Sequence, residues 1–180
     1  MKRFLIGLMV AAMATIGLGS VSAFAAPAQN VSFFAHGSGS AHWAPNQSAI
    51  MLSETAAPGA YAGAQLMNIG ATAPAEAPSF TQQDTVNEPS GASPRFVIAF
   101  ADGGTIIGYR LYMSTTLQND PLQWDSMAPY HYNATYEGAL AAHSGSPVVA
   151  AYLVTDSGWE GLAYTNTITN VTYGENTYAS

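Results

Sequence analysis

The feature that most constrains the fold is a pair of β-prone segments joined by a tight turn. Residues 95–101 (RFVIAFA) alternate in a way that places two phenylalanines and an isoleucine on one side of an extended chain. Asp102-Gly103-Gly104 follows, and glycine readily adopts the positive φ that a short turn needs. Residues 105–113 (TIIGYRLYM) supply a return strand. The sequence therefore predicts a β-hairpin over residues 95–113.

Other short segments of β-prone sequence lie on both sides of this hairpin. They are residues 30–35, 48–53, 60–67, 148–155 and 167–173. The sequence predicts a single helix at about residues 133–143, because Asn133 can cap its start and Gly145 can end it. Many short strands with one small helix predict an all-β fold, a two-sheet, jelly-roll-like β-sandwich.

The composition agrees with a sandwich that has a polar but weakly charged surface. Charged residues make up 8% of the chain, against roughly 25% in an ordinary soluble domain. Ten Tyr, seven Phe and three Trp supply much of the core, a number of aromatics that argues against disorder. The chain has no cysteine, which excludes disulfides, thiolate metal sites and cysteine nucleophiles.

The N-terminus has the pattern of a secretory signal peptide. Lys2 and Arg3 precede an apolar run over residues 4–18, and Ala23-Phe24-Ala25 fits the small-x-small cleavage rule. Residues 21–23 (VSA) offer a second cleavage site. We expect a signal peptide at 1–25, a segment leading into the domain at 26–47, and the sandwich at 48–180. The expected location is secreted and extracellular, with no membrane contact after cleavage.

Cleavage would leave an almost purely acidic chain. Loss of Lys2 and Arg3 would take the net charge from −7 to −9, with Arg95 and Arg110 as the remaining cations. Such a chain repels polyanions, so nucleic acid is not an expected partner. The charge pattern suits an acidic medium, and it equally suits drift toward uncharged polar residues.

A longer pattern resembles that of a known group of proteins. Ser93-Pro94-Arg95-Phe96 opens a strand, a later strand ends in Thr155-Asp156-Ser157-Gly158-Trp159, and a closing strand contains Ile168-Thr169-Asn170-Val171. Over residues 80–175 this order resembles poorly characterised secreted bacterial jelly-roll β-sandwich domains, similar in architecture to carbohydrate-binding modules. The resemblance implies a fold and a compartment, and it implies no reaction.

The ionisable residues form no diagnostic catalytic motif. A glycosidase would need two carboxylates flanking one sugar bond. The acids considered are Asp102, Asp120, Asp125, Glu137, Asp156 and Glu160. The Ser-His segments at residues 36–40 and 143–146 lack the Gly-x-Ser-x-Gly pattern and are interpreted as Gly/Ser loops. No cofactor is expected apart from a possible structural calcium, for which Asp102 and Asp156 are the candidate ligands.

Aromatic side chains carry the binding hypothesis. Flat rings stack on the C–H faces of sugars, and neighbouring polar groups read the hydroxyls. The candidate ligand-binding residues, in predicted loops or strand ends, are Trp43, Trp124, Tyr130, Tyr132 and Trp159. The alternative interpretation is that these rings fill a core poor in Leu and Ile.

The leading functional prediction is a secreted, non-catalytic binding or adhesion domain for a polysaccharide or cell-surface glycan. Two alternatives stay open at this point. One is a small secreted hydrolase that works in acid with a carboxylate pair, and the other is a structural component of an extracellular matrix or surface.

Overall fold

A computed structural model describes residues 30–55, 59–86, 94–110, 121–127, 130–132, 135–156 and 163–179. Within these ranges the chain forms strands and one short helix, which are, in chain order, β1 (Val31–His36), β2 (Gly39–Trp43), β3 (Ile50–Glu54), β4 (Tyr61–Leu66), β5 (Ser79–Val86), β6 (Arg95–Phe100), β7 (Thr105–Tyr109), β8 (Gln123–Met127), β9 (Tyr130–Tyr132), α1 (Tyr136–Ala141), β10 (Val148–Asp156), β11 (Tyr164–Tyr173) and β12 (Asn176–Ala179).

The strands form two antiparallel sheets. The larger sheet has the order β1-β4-β10-β6-β7-β8-β9, and the smaller has the order β12-β11-β3-β2, with β5 also paired to β11. Side chains from both sheets meet in one buried core, including Ile50 and Leu52 from the smaller sheet and Phe96 and Leu153 from the larger. The predicted all-β, two-sheet sandwich is confirmed.

The predicted hairpin is present as β6 and β7. The two strands pair in antiparallel register from Phe96 opposite Gly108 to Ala99 opposite Thr105. At the turn, the N–H of Gly103 donates to the carbonyl of Phe100, and Gly103 has a φ of 85°. Glycine at this position therefore avoids the steric cost that a side chain would bring to a positive φ.

The helix is shorter than the predicted 133–143. It begins at Tyr136, after Thr135, whose hydroxyl accepts from the N–H of Gly138 at 3.2 Å as an N-cap. Asn133, the expected cap, lies outside the described residues. Tyr136 anchors the helix because its ring packs edge-on against Trp124 and its hydroxyl donates to the carbonyl of Pro74.

The start of the sandwich lies earlier than residue 48. Residues 26–47 were expected to lead into the domain, yet β1 pairs with β4 in the larger sheet and β2 pairs with β3 in the smaller. Residues 36–40 were expected to be a Gly/Ser loop, but only Gly37 and Ser38 form the turn. Gly39 begins β2, where the backbone passes so close to Tyr61 that a Cβ would lie 2.0 Å from its carbonyl oxygen.

Among the described residues, no helix combines the length and apolar character needed to cross a membrane.

Candidate functional site

Four aromatic side chains stand on the outward side of the larger sheet. On β4 and β10, Ala64 and Leu153 belong to the core, and side chains alternate along a strand. The neighbours of these core residues in sequence therefore point away from the core. We use the name aromatic face for the outward rings of three adjacent strands, which are Phe34 and His36 on β1, Tyr61 on β4 and Tyr152 on β10.

The rings of the aromatic face contact one another. His36 stacks on Tyr61 with ring centroids 5.2 Å apart and planes 19° apart. Phe34 meets Tyr152 edge-on at 5.8 Å and lies 6.3 Å from Tyr61. His36 is exposed, Phe34 and Tyr152 are half-buried, and Tyr61 is buried with 9% of its surface exposed. The result is a cluster of mutually supported rings in which His36, Phe34 and Tyr152 reach solvent and Tyr61 lies beneath them.

Gly63 gives the aromatic face its shape. It is the register partner of Phe34 on the neighbouring strand. A Cβ at Gly63 would lie 2.2 Å from Cζ of Phe34 and 2.8 Å from the carbonyl oxygen of Leu153. The phenylalanine ring therefore lies directly over bare backbone, a position that any other residue at 63 would fill.

Polar groups border the rings. Asp156 is the register partner of Tyr61, and its carboxylate forms an ion pair with the guanidinium of Arg95. Gln65, half-buried, pairs with Tyr152 across the strands, and the exposed Ser32 pairs with Gln65 on the other side. Hydrogen-bonding side chains therefore lie at two sides of the aromatic cluster.

A buried carboxyl group lies between the sheets near this edge. Glu54 ends β3 with only 4% of its surface exposed, and within the described part of the chain neither carboxyl oxygen has a hydrogen-bond partner of normal geometry. Burial, followed by the negative charge of Asp156, raises the pKa of Glu54 to about 8, while the Arg95 guanidinium and the N–H of Ala62 oppose that rise. Glu54 is therefore largely protonated at neutral pH.

A second acidic site lies at the β6–β7 turn. The carboxylate of Asp102 is 2.9 Å from Nδ1 of His143 and also accepts from the N–H of Gly104 at 2.8 Å. These two hydrogen bonds, that from His143 first, lower the pKa of Asp102. The His143 ring is buried, stacks on Phe100 at 4.7 Å, and rests where a Cβ of Gly104 would be. The contacts join the turn to the end of the helix.

This second site lacks the geometry of a serine triad. The hydroxyl of Ser146 accepts from the N–H of Asp102 at 3.1 Å, so it lies on the aspartate side of the cluster. A nucleophilic serine would have to lie at Nε2 of the histidine, and among the described residues Nε2 of His143 has no hydrogen-bond partner. Residues 142–145 form a turn after the helix, which agrees with the interpretation of residues 143–146 as a Gly/Ser loop.

The structure places the predicted ligand-binding residues in different environments. Trp124 belongs to the core, contrary to expectation: it is 2% exposed and packs between Phe96 and Tyr136, because β8 pairs it opposite Gly108 on the inner side of the sheet. Trp43 is half-buried and meets Phe33 edge-on at 5.5 Å.

The structure describes Tyr130 and Tyr132 only by their backbone in β9, and Trp159 lies outside the described residues. Their binding roles stay predictions.

Two of the other candidate acids lie in the described part of the chain, and two do not. Asp125 is buried and accepts from the hydroxyl of Tyr109 at 2.5 Å, Glu137 is exposed on the helix, and Asp120 and Glu160 lie outside the described residues. Across the described ranges, no three His, Asp or Glu side chains come together as metal ligands. Asp102 and Asp156, the calcium candidates, are engaged with His143 and Arg95, and calcium binding at either stays a prediction.

The two arginines in the described part of the chain, Arg95 and Arg110, are buried. Arg95 is buried beside Asp156, and Arg110 is 4% exposed between the sheets, where it donates to the side chain of Gln82 and the carbonyl of Phe80. The other two basic residues of the chain are Lys2 and Arg3. From residue 4 onward, the chain therefore has no exposed Lys or Arg side chain.

Comparison of the chain with known protein families, with curated proteins and with solved structures gave no match.

Proposed function

We propose that this protein is an exported, non-catalytic binding module that holds an uncharged extracellular polysaccharide on its aromatic face. The observation that carries the proposal is the cluster of contacting rings on the solvent side of the larger sheet. A folded chain gains little stability from aromatic rings placed on the outside, whereas a ligand with apolar faces gains a preformed surface.

The chemistry of the aromatic face suits sugars. Rings that support one another at 5.2 to 6.3 Å are held in place before a ligand arrives, which lowers the entropic cost of binding. The C–H faces of pyranose rings stack on such surfaces. Ser32 and Gln65 lie beside the rings and can donate to or accept from sugar hydroxyls.

The charge of the protein selects for an uncharged ligand. Polysaccharides that carry sulfate or carboxylate groups are usually bound by exposed Lys or Arg, and both arginines of the sandwich are buried. The overall charge of −7 would repel such a ligand further. Neutral glucans and mannans carry no such penalty.

A hydrolase with a carboxylate pair has less support. Glu54 and Asp156 are close enough for their charges to interact, but each oxygen of Glu54 exposes less than 1 Å² of surface. A general acid must reach the glycosidic oxygen. Glu54 cannot do so from between the sheets.

The first test is affinity electrophoresis of the purified protein through gels that contain hydroxyethyl cellulose, laminarin or galactomannan. We expect retardation by at least one of them. His36→Ala and Tyr152→Ala should each weaken that binding by roughly three- to tenfold, the loss of one stacking partner. His36→Phe should keep binding, because it keeps a flat ring.

His42→Ala is the matched control. His42 is also an exposed histidine on a strand, but it lies on β2 in the other sheet, so its removal should leave retardation unchanged. The proposal fails if none of the three polysaccharides retards the protein, or if the His36→Ala and Tyr152→Ala proteins migrate as the wild type does.

A further inference from the structure

The carboxyl group of Glu54 is placed where its ionisation would disturb one edge of the aromatic face. Glu54 ends β3, on the same side of the strand as the core residues Ile50 and Leu52. Its register partner on β2 is Gly39, where a Cβ would lie 2.0 Å from the carbonyl oxygen of Tyr61 on β4. The inward Glu54 is therefore linked to the backbone of Tyr61 through Gly39.

The same edge is held by a second set of contacts. Tyr61 pairs with Asp156 on β10, and Asp156 is bound to Arg95 on β6. The carbonyl of Tyr61 is also covered by the backbone at Gly39. Tyr61 thus lies at a point where strands of both sheets meet, with little space to move independently of them.

Among the described residues, few other titratable groups act on Glu54. Within that part of the chain, Asp156 and Arg95 are the charged side chains whose fields reach it. On β2 its register partner is Gly39, while His42 lies opposite Met51 and therefore on the other side of the smaller sheet. On β11 its partner is Tyr164, which the structure describes by its backbone only, and on β4 the nearby titratable residue is Tyr61 itself.

Two negative charges would compete for one cation if Glu54 ionised. Arg95 donates to Asp156 through one terminal nitrogen, while its Nε is buried and has no hydrogen-bond partner in the ranges that the structure describes. An ionised Glu54 must gain a partner or water, because an unpaired buried carboxylate is costly. Either change would pull on Arg95, Asp156 and the β4 backbone together.

We propose that the protonation state of Glu54 regulates the aromatic face: the neutral acid keeps Tyr61 and Asp156 in place, and the anion loosens them. This inference rests on the proposed binding function for its consequence, which is tighter polysaccharide binding in acid than in alkali. The structural part, a shift of the Tyr61 edge with the charge of Glu54, holds whether or not a polysaccharide binds.

The direction of the effect follows from the environment of the group. Burial favours the neutral form, so the arrangement is intact in acid and is lost as the pH rises through about 8. We expect affinity for a retained neutral polysaccharide to be about tenfold higher at pH 5 than at pH 9, a common size for coupling between two sites.

The test is an NMR titration of the whole protein with ¹³C-labelled glutamate between pH 4 and pH 9.5. The carboxyl carbon of Glu54 should titrate near pH 8, and the amide signals of Tyr61 and Ala62 should move with the same midpoint. In Glu54→Gln these amide signals should stay in place over that range. Glu76→Gln, which changes an exposed carboxyl group, should leave the wild-type titration intact.

Each result separates the two proposals. The proposed regulation is overturned if the carboxyl carbon of Glu54 titrates near pH 4.5. It is also overturned if the amide signals of Tyr61 do not move when Glu54 titrates. If the signals move together, affinity electrophoresis in hydroxyethyl cellulose, laminarin and galactomannan at pH 5 and pH 9 completes the test. A tenfold difference that Glu54→Gln removes supports both proposals, and equal retardation at the two pH values overturns the regulation alone. No retardation at either pH overturns the binding function while the structural link stands.

Discussion

Asp102 and Glu54 carry carboxyl groups in the same sandwich. The surroundings of Asp102 favour the ionised form, and those of Glu54 favour the neutral form. Asp102 lies at the β6–β7 turn, 42% of its side chain is exposed, and it accepts hydrogen bonds from His143 and the N–H of Gly104. Glu54 lies between the sheets and has no hydrogen-bond partner of normal geometry among the described residues. The pKa of Asp102 is lowered and that of Glu54 is raised to about 8.

The difference separates a structural acid from a responsive one. Asp102 is ionised throughout the neutral range and ties a turn to a helix, so small changes of pH near neutrality leave its contacts unchanged. Glu54 exchanges its proton within the range that natural environments cover, and each exchange changes the charge beside Arg95. A buried acid without hydrogen-bond partners lowers the free energy of unfolding. We infer that Glu54 is kept despite this cost because it regulates the aromatic face.

The largest expected effect comes from removing the cation that both buried acids share. Arg95→Met removes the ion pair between Arg95 and Asp156, at a site where the two side chains are 9% and 15% exposed. Breaking such a pair costs about 3–5 kcal/mol of unfolding free energy. Urea denaturation at pH 6 measures it, and Arg95→Lys, which keeps the charge, should lose less. Equal stability of Arg95→Met and wild type would show that the pair contributes nothing.

A smaller effect, of distinctive pH dependence, is expected for Glu54→Gln. The unfolded carboxyl titrates near 4.5 and the folded one near 8, so the unfolded state binds fewer protons between these values. The contribution of Glu54 to the wild-type free energy of unfolding should therefore be fully present below about pH 4.5. It should fall by about 2–4 kcal/mol as the pH rises to 8. Urea denaturation of Glu54→Gln from pH 4.5 to pH 8.5 should lack this slope, and Glu76→Gln should retain it.

The smallest effect is expected at the exposed acid. The pKa of Asp102 is lowered, so the stability it contributes is present above its ordinary value of 3.8 and is lost as the pH falls through the lowered one. Solvent screens this site, so Asp102→Asn should cost about 1 kcal/mol or less at pH 6. Urea denaturation from pH 2.5 to pH 6 measures it, with Glu137→Gln as the exposed control. A loss as large as that of Arg95→Met would remove the contrast between the two regions.

Sequence reasoning succeeded where the determining information is local. The β6–β7 hairpin depends on alternating side chains and on Gly103 at the turn, and both lie within one short segment. The long strand β10 was equally visible, because residues 148–154 form a nearly continuous apolar run, and it lies between β4 and β6 in the larger sheet. The strand β2 was missed because Gly39 and its serine neighbour have low β propensity, and pairing with β3 overrides that tendency.

The aromatic face could not be derived in the same way. Phe34, Tyr61 and Tyr152 come together only because the sheet order places β1, β4 and β10 side by side, and sequence alone does not give strand order. Trp124 was misjudged because one position along β8 decides whether a ring points inward or outward. A signal for Glu54 did exist, since it continues the alternation of Ile50 and Leu52 toward the core.

The burial of Arg95 and Arg110 has a consequence for proteolysis. Trypsin-like proteases cut after Lys or Arg in an extended, accessible chain, and beyond Arg3 these two arginines are the only such residues. One is paired with Asp156, and the other lies over the ring of Phe80 with its guanidinium carbon 4.7 Å from the ring centroid. The folded sandwich therefore offers such proteases no accessible basic side chain, and cleavage at either arginine has to wait for local or global unfolding.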